Sequence, residues 1–115
     1  GYGEIVVSGD ITGFTLNKVP EIPLTYSVSQ NYPNPFNPTT TIRYELPEYS
    51  HVSIIIYDLM GRRMTTLVNE PEEPGYKTIV WDGTDSFGKQ VSAGVYLYQI
   101  RAGNYTRVRK MALLK

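Results

Sequence analysis

TTTIRYELPEYSHVSIIIY, residues 39–57, holds two strands and the turn between them. Ile42, Tyr44 and Leu46 alternate with Thr41, Arg43 and Glu45. Successive side chains of a strand point to opposite faces, so Thr39–Leu46 reads as a strand with one face inward. Pro47 stops it. His51–Tyr57 follows after a short turn. There Val52, Ile54 and Ile56 form the inward set, and Ile55 and Tyr57 fill a second face.

Downstream, Asp58–Gly61 reads as a turn, with a short helical turn over 58–63 as the alternative. Arg62–Val68 is the next strand, Met64, Thr66 and Val68 alternating against Thr65 and Leu67. NEPEEPG, residues 69–75, is an acidic, Pro-rich loop. Tyr76–Trp81, Val95–Arg101 and Tyr105–Leu114 complete the set, with Tyr96, Tyr98 and Ile100 facing one way. Upstream, NYPNPFNP (31–38) is too dense in proline to join a ladder. Its asparagines can hold turns, and Phe36 is expected to plug one end of the core. Pro20 and Pro23 stiffen a connector tied down by Leu24, Tyr26 and Val28. Residues 1–19 carry two apolar stretches, Ile5–Val7 and Phe14–Leu16, that suit a hairpin or the end of a preceding domain. Residues 1–25 are therefore expected to be an arm or linker, and 26–115 one domain. About seven short, regularly spaced strands argue an all-β sandwich or small barrel.

Composition agrees. The chain has 115 residues, 41% hydrophobic and 19% charged, enough for one domain with a core. Ten Tyr against three Phe and one Trp favour strands, and eight Pro and ten Gly favour turns. A formal net charge of zero speaks against nucleic acid as a partner. No apolar run approaches about 18 residues, the length of a membrane-spanning helix. Gly1 looks like the start of a fragment or a mature product. Cysteine is absent, which removes disulfide and thiol chemistry. Charge is uneven: residues 101–115 hold Arg101, Arg107, Arg109, Lys110 and Lys115 and no acid. Such a strand either meets an acidic partner or is an edge guarded by charge.

Candidate sites each meet a plainer explanation. His51 is the single histidine and lacks the companions a metal site or catalytic base needs. Ser50 and Ser53 have no nucleophile-elbow setting. Glu72 and Glu73 are adjacent and cannot flank one glycosidic bond. Asp82, Thr84, Asp85 and Ser86 cluster oxygens in sequence but lack calcium-loop spacing and its closing glutamate. They read better as turn formers: Asp82 and Asp85 cap, Gly83 and Gly88 take positive φ, and Trp81 seals the core end. Weak calcium binding stays open. Tyr96 and Tyr98 either line a sugar-binding face or sit in the core with hydroxyls at the rim. Asn104-Tyr105-Thr106 has the form of a glycosylation acceptor. No cofactor is implied and no catalytic set emerges.

SQNYPNPFNPTTTIRYELPE, residues 29–48, resembles the opening of the C-terminal sorting domain of the bacterial type IX secretion system. VSIIIYDLMG (52–61), Leu67–Val68, Gly75, Trp81-Asp82-Gly83, Gly88, Val91, Ala93-Gly94 with Tyr96, and the closing KMALLK fit the same pattern. The immunoglobulin-like domain of the flagellar hook-capping protein shares the W-D-G … G … V … G-V-Y part. The resemblance implies an immunoglobulin-like antiparallel β-sandwich of about seven strands over residues 26–115. It also implies a non-catalytic module that directs an upstream cargo across the outer membrane, without inserting in it. Expected partners are the secretion translocon and a surface processing protease, and the location is secreted or cell-surface by way of the periplasm. Asn34, Pro35, Phe36 and Gly94 would be structural landmarks, with Trp81, Asp82 and Gly83. Arg107, Arg109, Lys110, Met111, Leu113 and Lys115 on the terminal strand would carry the recognition signal. The chain stops where the family pattern stops, which fits a natural C-terminus. Two other expectations compete: a structural spacer in a multidomain extracellular hydrolase, and a carbohydrate-binding sandwich with an exposed aromatic platform.

Overall fold

The computed structural model describes residues 21–115. The apolar stretches at 5–7 and 14–16, and most of the expected 1–25 arm, lie outside the described residues. Seven strands follow: β1 (Ser27–Val28), β2 (Thr40–Leu46), β3 (Ser50–Asp58), β4 (Arg63–Glu72), β5 (Gly75–Trp81), β6 (Gly94–Ala102) and β7 (Tyr105–Leu113). They form an immunoglobulin-like antiparallel sandwich. One sheet runs β1-β2-β5, the other β4-β3-β6-β7.

The alternation that marks β2 and β3 also fills the core between the sheets. Ile42, Tyr44 and Leu46 from β2 meet Val52, Ile54 and Ile56 from β3, and all six are buried. Tyr96, Tyr98 and Ile100 from β6, Met111 and Leu113 from β7, Val68, Val91, Trp81 and Phe36 complete it. Ile54 pairs with Ile100 on one side and Val68 on the other, so it sits mid-sheet and mid-layer.

Three expectations and one alternative need correction. The acidic segment expected as a loop from 69 is strand as far as Glu72, because His51 and Ser50 extend the ladder opposite Pro71 and Glu72. Pro71 is tolerated because β4 is an edge strand. Simple alternation over Met64–Val68 also fails: Val68 is buried but Thr66 is exposed. Two register shifts lie opposite Ile54/Ile55 and Ile56/Tyr57, so Leu67 and Met64 are extra residues and the parity resets at each bulge. No helical turn forms at 58–63; Asp58 closes a tight turn by accepting the N–H groups of Met60 and Arg62 on its Oδ1, both at 2.9 Å. In the connector, Val28 is buried and Tyr26 half-buried, stacked on Tyr105, but Leu24 is 96% exposed and ties down nothing.

Candidate functional site

The NYPNPFNP segment is a strap that leaves β2's sheet and seals against β7. Its buried Asn31 donates through Nδ2 to Thr40 Oγ1 at 2.9 Å and to the Pro33 carbonyl at 3.2 Å. The Asn31 N–H donates to the Tyr98 hydroxyl (2.9 Å), which itself donates to the Ser29 carbonyl (2.7 Å). Burial pushes the Tyr98 hydroxyl's pKa up, against the Asn31 N–H and the positive Arg109, which pull it down. Asn34 Oδ1 accepts the Ala112 N–H at 3.0 Å. Phe36 donates its N–H to the Ala112 carbonyl and accepts from the Leu114 N–H, both at 2.9 Å, a parallel bridge to the last strand. Pro35 is exposed between these two anchors. The Phe36 ring fills the core end as expected, tilted against Trp81 with centroids 5.7 Å apart.

Trp81 is buried, meets Tyr96 edge-on at 5.5 Å and donates its indole N–H to the Thr84 carbonyl. Asp82 caps its own turn by accepting from the Thr84 N–H and hydroxyl. Gly83 has φ +78, which strains any other residue, and a Cβ there would crowd the Pro38 carbonyl at 3.1 Å. Asp85 accepts from the Phe87 and Lys89 N–H groups, the same device as Asp58. DLMG (58–61) and DSFG (85–88) are thus one turn built twice, each closed by a glycine at φ +84 or +81. Met60 and Phe87 stand at their tips, 81% and 91% exposed. The sequence reading marked both turns but not this shared presentation of an apolar residue. Gly94 opens β6 in an exposed position.

Among the described residues, no three His, Cys, Asp or Glu side chains come close enough to hold a metal ion. His51 bonds through Nε2 to Asn69 Oδ1 at the surface. Tyr96 and Tyr98 are core residues, so neither lines a sugar-binding face. Tyr44 is buried too, and its hydroxyl donates to Glu72 Oε1 at 2.7 Å.

The residues named for recognition divide on β7. Odd positions face the core side: Met111 and Leu113 are buried, and Arg109 is half-buried with Nε donating to the Val28 carbonyl at 2.9 Å. Arg107, Lys110 and Lys115 are exposed. The Met111 and Leu113 side chains are therefore held almost wholly inside the folded domain. Val108 and Leu114 are 49% and 54% exposed, while Arg109 reaches across to β1. Strand parity explains Val108, which shares a face with Thr106 and Lys110. A shallow depression of about 210 Å³ lies beside the strand, lined by Asn34, Val95, Lys110, Met111 and Ala112.

Known proteins share this architecture. Dimeric latent PorU from Porphyromonas gingivalis is similar over 80% of this chain and 10% of its own, at TM-score 0.62 and 21% identity. PorZ, an essential surface component of the type IX secretion system of the same organism, is similar over 78% of this chain and 11% of its own, at TM-score 0.52 and 22% identity. FlgD from P. aeruginosa is similar over 64% of this chain and 58% of its own, at TM-score 0.51 and 23% identity. The chain thus spans about a tenth of PorU and PorZ. At these identities the likeness shows the fold. No curated protein matches the chain. The pattern of the FlgD Ig-like domain matches residues 34–106, from the strap through the start of β7, and by this match the chain belongs to the FlgD Ig-like domain family.

Proposed function

We propose that this domain is a non-catalytic C-terminal sorting domain that directs an upstream cargo protein across the bacterial outer membrane to the medium or cell surface. The observation that carries the reading is β7, an edge strand whose packing residues and exposed cations are separate. Met111 and Leu113 hold it to the core, while Arg107 and Lys110 remain free to meet a translocon. The NPFNPTT resemblance and the structural likeness to PorZ support the same reading. Recognition by a surface processing protease belongs to it as well. A spacer role in a multidomain extracellular protein is the second reading, favoured by the family match to an immunoglobulin-like domain of a hook-capping protein.

Replacing Arg107 and Lys110 by Ser should leave stability within about 1 kcal/mol, since exposed cations contribute little. A reporter fused ahead of that variant should accumulate in the periplasm of a host carrying the secretion system, while the parent fusion reaches the medium. Normal export of the stable variant rejects the exposed cations as the signal. Normal export after removal of residues 107–115 favours the spacer.

A further inference from the structure

The two halves of β7's free edge differ. In the C-terminal half the outward backbone groups from the Lys110 carbonyl to the Leu114 N–H are engaged by the strap and the preceding Gln30: Gln30 Nε2 donates to the Lys110 carbonyl at 2.7 Å, Asn34 Oδ1 takes the Ala112 N–H, and Phe36 bonds to Ala112 and Leu114. These contacts fix the parity of the strand. In an antiparallel pair, residues alternate between exchanging bonds with the partner strand and turning both groups away from it. Ala112 and the Lys110 carbonyl turn away from β6. Thr106 and Val108 share their parity, opposite Arg101 and Gln99. The N–H and C=O of Thr106 and of Val108, and the Lys110 N–H, therefore project outward. Among the described residues, nothing pairs them.

We propose that this open half-edge, Thr106–Lys110, is a strand-addition site for an extended acidic segment of another protein. Backbone pairing would supply the register, and opposite charge the choice of partner. Thr106, Arg107, Val108 and Lys110 are exposed around it, and no acid lies between Gly103 and Lys115. An added strand with alternate Asp or Glu sets its carboxylates beside Lys110 on one face or Arg107 on the other. The same charges oppose a second copy of this chain, because pairing β7 with itself brings like cations together. The other long edges lack this bias: β4 mixes Arg63 with Glu70 and Glu72, and β5 carries Lys77 alone. The site lies on the strand assigned to sorting but stands on the hydrogen-bond pattern, so the two readings can fail separately.

The probe is a short synthetic peptide of alternating glutamate and valine. Its controls are the same peptide with lysine for glutamate, and with alternate backbone nitrogens methylated. Amide NMR shifts and hydrogen exchange of the full chain locate binding. The acidic peptide should shift and protect Thr106, Val108 and Lys110, bind more weakly as salt rises, and lose binding on methylation. In Val108→Pro the lost N–H faces away from β6, so the ladder survives. Binding should fall by about tenfold, the scale of one hydrogen bond. If that variant does not fold, the methylated and unmethylated peptides on the parent protein decide alone. The proposal is overturned by absent binding at millimolar peptide, by equal binding of the methylated or lysine peptide, or by shifts on β4 or β5. Dimerisation through β7 that excludes the peptide overturns it as well.

Discussion

Tyr98 shows what a single residue does here beyond filling space. Its ring is buried and its hydroxyl joins two backbone groups of the crossing segment, the Ser29 carbonyl and the Asn31 N–H. Replacing Tyr98 by Phe keeps the ring and strands both partners. A loss of about 1–3 kcal/mol in urea denaturation is expected, and a loss near zero would mean that water replaces the hydroxyl without penalty. Ile54→Ala tests packing alone. Ile54 is fully buried between Ile100 and Val68, so the cavity and lost burial should cost about 2–5 kcal/mol. The inward direction of both side chains was legible, because each belongs to a period-two run. The hydroxyl's partners were not, since they lie 67 and 69 positions away.

Among the elements, β2 and β3 were readable and β4 and β7 only partly so. β2 keeps one register with β5 throughout, so alternation in sequence is alternation in space. β4 carries two bulges, and each inserts a residue that local pattern cannot flag. For β7 the difficulty is coverage: the sheet opposite has three strands against four, so inward parity does not guarantee burial, and Arg107 faces the core side yet stays exposed. The strand's two faces give a direct test. Leu113→Asp places a charge in the core without a partner and should unfold the domain or cost several kcal/mol. Val108→Asp falls on the exposed face and should cost less than about 1 kcal/mol. Thermal melts of the two variants check this, and similar losses would show that the outer face of β7 is packed. The basic character of the terminal strand was legible; which of its residues are buried was not, because that depends on how far the opposite sheet covers it.

At the scale of the molecule, Tyr44, Tyr96 and Tyr98, the buried tyrosines among the described residues, set an alkaline limit. Burial raises the pKa of Tyr44 well above the ordinary tyrosine value, helped by the hydrogen bond and charge of Glu72 and the charge of Glu70. Tyr96 is raised by burial and then by the negative Asp58, and Tyr98 chiefly by burial. In the unfolded chain these phenols ionise near pH ~10. Below that pH both states hold the protons and the contribution is complete. Above it the unfolded state releases protons that the folded state retains, so stability falls as pH rises. The denaturation midpoint should fall as pH rises above about 10, and less steeply in Tyr44→Phe; a flat profile would show these hydroxyls open to solvent. The strap has a further consequence, in time. Asn34 is translated 78 positions before Ala112, whose N–H its side chain accepts, and a chain leaves the ribosome from its N-terminus. Until β7 has been made Phe36 has no last strand to bridge, so the end of the core around Trp81 cannot be sealed. That seal waits for β7, the last strand to be made.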